Sequence, residues 1–142
     1  MKKITKILPA LLIVATICTG VLPLFASAED AIVPYYLNTT YCNCYFAISQ
    51  GTGTGTATVA YQAQSDAFSY ATITVKIQKR FLGIFWSTVD EWTETCYDVT
   101  GTVYNATALE DTGTYRAVFT VEIYGNDGSV DTIEDKITST YE

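Results

Sequence analysis

The sequence predicts an all-β domain, a two-layer sandwich of about seven antiparallel strands. Three observations predict it. After residue 28, Tyr, Thr, Val and Ile dominate, and Thr is used where a helical protein would use Glu, Lys or Ala. Apolar and polar residues alternate along most of that stretch, and no window carries a helical period. Turn residues recur at regular short intervals between the alternating runs.

The elements follow in order. Residues 29–38 form an N-terminal arm, where Pro34 permits an edge strand at best. A first strand spans 39–49, with Cys42, Cys44, Phe46 and Ile48 on one face. The run 50–56 reads QGTGTGT and is a flexible turn. It lacks the lysine and following helix that a phosphate cradle needs. A second strand spans 57–64, with Ala57, Val59, Tyr61 and Ala63 sharing a face. The third, 69–80, is the clearest: Ala71, Ile73, Val75 and Ile77 point one way, Thr72, Thr74, Lys76, Gln78 and Arg80 the other. The tight loop 81–85 makes it a hairpin with the next strand, 86–93. Further strands span 98–106, 113–124 and 129–140, separated by a corner at 109–112 and the turn Gly125-Asn126-Asp127-Gly128. The hairpin at 81–85 favours one sheet of the first, second and fifth strands, and another of the remaining four.

One motif sharpens the fold class. Asp111-Thr112-Gly113-Thr114-Tyr115 has the D-x-G-x-Y form of a tyrosine corner. In immunoglobulin-like domains this Tyr hydroxyl bonds back to the backbone before the strand that follows. Gly113 and Tyr115 fall where the strand pattern already requires a corner, so the expected architecture is immunoglobulin- or fibronectin-III-like. Ala117 stands where an antibody domain has its second cysteine, and 57–64 holds no cysteine, so the antibody-type disulfide is absent.

The run Ile77-Gln78-Lys79, a short loop, Trp86-Ser87-Thr88-Val89, Trp92, then Gly113-Thr114-Tyr115-Arg116 is similar to that of a group of small secreted sandwich proteins of Gram-positive anaerobes, a family of unknown function. The resemblance covers most of 40–141. It implies a fold and an export route, and it implies no activity.

Export is also read directly from the first residues. Lys2, Lys3 and Lys6 precede an apolar stretch, 7–25, and Ala26-Ser27-Ala28 supplies small residues at the cleavage positions. Residues 1–28 are therefore expected to be a cleaved signal peptide, leaving 39–142 as the sandwich domain of a secreted, extracellular protein. Pro9 and Pro23 interrupt the apolar stretch, and Ile17 before Cys18 does not suit lipid attachment. Of 8 basic and 15 acidic residues, three lysines and no acid leave with the leader, so five cations face fifteen acids, net -10. That acidity argues against nucleic acid as a partner.

The chain has no histidine. This removes Ser-His-Asp and Cys-His catalysis and imidazole zinc sites, and leaves only paired carboxylates for a hydrolase. Two acidic clusters exist, Asp90, Glu91 and Glu94, and Asp131, Glu134 and Asp135. Both read as solvated faces, and neither matches a dedicated calcium loop. No catalytic residue, metal or cofactor is expected. Cys42 and Cys44 lie two apart on one strand and are poorly placed to bond each other. Cys96 bridging to Cys42 or Cys44 would leave one thiol; alternatively all three are small core residues. Asn38-Thr39-Thr40 and Asn105-Ala106-Thr107 match the glycosylation pattern by chance. Trp86 and Trp92, six apart, would share a face of an ideal strand, either covering the sheet or offering a platform to sugars.

The loop itself is unusual. Phe81, Leu82, Ile84 and Phe85 are large and apolar, and Trp86 follows, where hairpin tips normally carry Asn, Asp, Gly or Ser. Lys76, Lys79 and Arg80 stand beside it. Either the loop plugs the end of the sandwich or it is a binding tip. The expected function is an extracellular interaction module without catalytic activity, binding a protein, a glycan or its own copies through 81–86. The second reading is a membrane-contacting effector using the same loop, and the third is a carboxylate-based glycosidase or sugar-binding module.

Overall fold

The computed structural model describes residues 36–142. The expected leader, and the arm before residue 36, lie outside the described residues. Seven strands follow: β1 (Thr39–Ser49), β2 (Thr54–Ala63), β3 (Phe68–Phe81), β4 (Phe85–Cys96), β5 (Thr100–Ala108), β6 (Gly113–Gly125) and β7 (Val130–Tyr141). They form two antiparallel sheets, β1-β2-β5 and β4-β3-β6-β7, in the order the hairpin pattern favours.

Alternation builds the core. Along β3 and β6 every second residue is buried, so Ile73, Val75 and Ile77 face inward beside Ala117, Phe119, Val121 and Ile123. Cys44, Phe46, Ala57, Val59, Tyr61 and Val103 close the core from the opposite sheet. Each buried Val, Ile or Phe among them contributes about 1.5–3 kcal/mol by leaving water. The edge strand β4 is mostly exposed, with no residue fully buried.

The QGTGTGT run splits. Only 50–53 turns; Thr54, Gly55 and Thr56 already pair within β2. Gly53 sits at φ +61, and a Cβ there would meet the Tyr141 hydroxyl at 2.7 Å, so this position of the run demands glycine.

The end of the arm is pinned rather than loose. Asp131 is buried, and its carboxylate accepts hydrogen bonds from Leu37 N (3.0 Å), Asn38 N (2.7 Å) and Thr39 Oγ1 (2.8 Å). Asn38 Nδ2 in turn donates to Ser129 Oγ at 2.9 Å. The reading of Asp131 as one acid of a solvated cluster is thus corrected. It points inward from β7, opposite Ile123, and a buried carboxylate is held there because donors from the arm converge on it.

The corner at 109–112 is closed by Tyr115. Its ring is 2 % exposed, and its hydroxyl donates to the carbonyl of Asp111 at 2.6 Å. Lys79 Nζ pairs with Asp111 Oδ2 at 2.9 Å and lies 5.7 Å from the Tyr115 ring centroid. That carboxylate holds the Lys79 pKa above its ordinary value.

Candidate functional site

The β3–β4 hairpin projects its tip into solvent. Phe81 and Phe85 pair across the last rung, and Ile84 N donates to Phe81 O at 3.2 Å. Leu82 and Gly83 both have positive φ, +50 and +74, the backbone of a primed hairpin turn. Gly83 adopts this freely. Leu82 does so against the clash of its Cβ with the backbone, where Asn or Gly would be cheaper.

None of the four large apolar tip residues is tucked away. Leu82 is 74 % exposed, Ile84 70 %, and Phe81 and Phe85 60 % each. The loop does not fold back to plug the sandwich; Leu109 and Tyr115 occupy the core near that end.

Trp86 and Trp92 do not share a face. Ile77 pairs with Asp90 and Gln78 with Thr88, so Val89 is an extra residue on β4 and the pleat changes phase there. Trp92, opposite Val75, packs inward against the core, where its Nε1 has no hydrogen-bond partner. Trp86, opposite Arg80, lies on the outer face. The shared face expected of an ideal strand is therefore not built, and the two indoles do not form one platform.

Trp86 instead gathers cations. The Arg116 guanidinium stands 4.1 Å from its ring centroid and that of Arg80 6.0 Å. Arg116 Nε donates to Gln78 Oε1 at 2.8 Å, which fixes the guanidinium. Lys76 and Lys79 are neutralised by Glu91 and Asp111, whereas among the described residues Arg80 and Arg116 pair with no carboxylate. Arg116 enters the sequence reading only through the resemblance and not as a residue of the tip. It lies far along the chain from the loop, and only the pairing of β6 with β3 brings it beside Trp86. The tip thus presents an apolar knob with two uncompensated cations and an indole at its base.

The remaining candidates disperse. Asp90 accepts Thr107 Oγ1 at 2.6 Å beneath the β4 edge, whereas Glu91 faces outward to Lys76. Cys42, Cys44 and Cys96 stand as free thiols, Cys44 buried and the other two half-buried, so of the two readings the bridge from Cys96 is not formed here. The neighbouring Cys44 thiol lowers the Cys42 pKa, and Cys42 together with burial raises that of Cys44. Cys96 lies on the other sheet; burial raises its pKa and that of Tyr61. The Tyr61 hydroxyl donates to Asp98 O at 2.8 Å.

No protein-family model and no curated protein matches the chain, so the resemblance to secreted sandwich proteins rests on its motifs alone.

Proposed function

We propose that this chain is an extracellular interaction module that engages a protein partner through the hairpin tip 81–86. The observation that carries this reading is the tip itself: four large apolar side chains in water, one of them on a strained backbone. Apolar groups and strain of this kind persist where contact with a partner uses them. Phe81, Leu82, Ile84 and Phe85 would enter an apolar socket. Arg80 and Arg116 would meet acidic groups at its rim, and Trp86 would supply a rigid anchor. Extracellular placement rests on the reading of 1–28 as a leader.

The same pattern supports contact with an anionic membrane as a second reading, since apolar side chains collared by arginine suit a lipid surface. The mature net charge of -10 disfavours it.

The test is Leu82→Ser with Phe85→Ser. A binding tip predicts an almost unchanged melting temperature together with lost capture of partner proteins from culture medium. A collapsed melting temperature would make the loop a stability element and end the proposal. Flotation with phosphatidylglycerol vesicles, abolished by the same double change, would replace the protein partner with a membrane.

A further inference from the structure

The outer face of the β1-β2-β5 sheet is chemically unlike the rest of the molecule. Cross-strand pairing arranges it as five rows of three, from Tyr41–Gln62–Thr100 to Ser49–Thr54–Ala108. None of these fifteen positions carries a charge; they hold only Tyr, Thr, Ser, Asn, Gln and Ala. The outer face of the other sheet, by contrast, displays Lys76, Glu91, Glu122, Glu134 and Lys136 as well as the two arginines. In a chain with so many acids, a whole sheet face without one is a segregation of charge, not an average surface.

Three tyrosines stand on this neutral face. Tyr41 is 50 % exposed, Tyr45 63 % and Tyr104 73 %. Tyr45 and Tyr104 belong to one row and flank Thr58. Two inter-strand steps place their backbones about 10 Å apart, and Tyr41 lies about 13 Å along β1 from Tyr45. Between and beside them run the hydroxyls of Thr58 and Thr102 and the amides of Asn43 and Gln62, with Thr56 in the next row. A shallow depression lies beside Tyr41, lined in part by Ala60, Gln62, Thr100 and Thr102.

We infer that this face is a binding platform for an extended, uncharged polysaccharide, separate from the hairpin tip. Pyranose rings present apolar C–H faces and equatorial hydroxyls. The first stack on exposed aromatic rings, and the second exchange hydrogen bonds with neutral hydroxyl and amide side chains. The spacing of Tyr45 and Tyr104 suits two sugar rings of a straight chain lying across the strands. A neutral ligand fits because the face holds no charge to attract or repel it. A second copy of this chain fits less well: a self-interface needs an apolar centre, and the face has no Val, Ile, Leu, Met, Phe or Trp.

The experiment uses protein expressed from the full chain. Depletion from solution is measured with insoluble cellulose and chitin, and retardation in native gels with xylan, mixed-linkage β-glucan and polygalacturonate. The inference expects retention by at least one neutral polymer and none by polygalacturonate. Tyr45→Thr with Tyr104→Thr, which keeps residues suited to strands, should weaken that retention at least tenfold with the melting temperature unchanged. Tyr45→Phe with Tyr104→Phe should keep most of it, and Leu82→Ser with Phe85→Ser all of it. Failure of every neutral polymer to bind would overturn the inference, as would retention that survives the threonine pair. So would sedimentation showing a dimer that the threonine pair dissociates. The tip variant is read separately, so either proposal can fail alone.

Discussion

Trp86 and Trp92 lie on the same strand and on opposite faces of it, because Val89 is an unpaired residue between them. The bulge turns one indole out to the arginines beside the hairpin tip and the other in to the core. The two residues should therefore respond differently to truncation. Trp92→Ala should cost about 3 kcal/mol through lost packing. Trp86→Ala should cost about 1 kcal/mol at most, the scale of an exposed cation–π contact. Urea denaturation of the two variants checks this; equal losses would mean that both indoles are core.

Tyr115 closes the corner through one hydrogen bond to Asp111 O. Tyr115→Phe keeps the buried ring and removes only the donor, so the Asp111 carbonyl loses its partner. A loss of about 1 kcal/mol is expected, and thermal denaturation should find it with the fold unchanged. Tyr115→Ala, which also removes the ring, should cost about 3–5 kcal/mol.

Asp131 fastens the segment 37–39 to β7. Asn at this position keeps one acceptor oxygen and turns an NH2 toward donors that now have nothing to meet. Asp131→Asn should destabilise the domain by about 3 kcal/mol. Hydrogen exchange adds a readout specific to the clamp: the amides of Leu37 and Asn38 should lose protection, while those of β3 and β6 keep theirs in proportion to global stability.

Leu82 pays for its position in backbone strain. Replacing it with Asn, which tolerates a positive φ, should raise stability by about 0.5–1 kcal/mol. The same change should weaken partner capture, because it removes the most exposed apolar side chain of the tip. A variant that is both more stable and less able to bind would separate the two roles of this residue.

The strands of this protein were legible because their signal is local. Ala71, Ile73, Val75 and Ile77 alternate against threonines and lysine, and such a run has one face to bury whatever surrounds it. The pairing of β3 with β4 followed from a short loop that leaves them no choice, and it favoured the two-sheet order that is found. The apolar character of 81–86 could also be read directly, but its exposure could not, since a plug and a tip have the same residues. Other features were decided by tertiary structure alone. The phase change at Val89 arises from pairing with β3 and leaves no mark in the spacing of the tryptophans. Asp131 looks like its acidic neighbours until the arm returns to it. Arg116 reaches Trp86, and Tyr45 and Tyr104 come to flank Thr58, only because strands distant in sequence lie side by side. Periodicity fixes which way a residue points along its own strand; what stands beside it across the sheet is set by register and packing, which no single strand encodes.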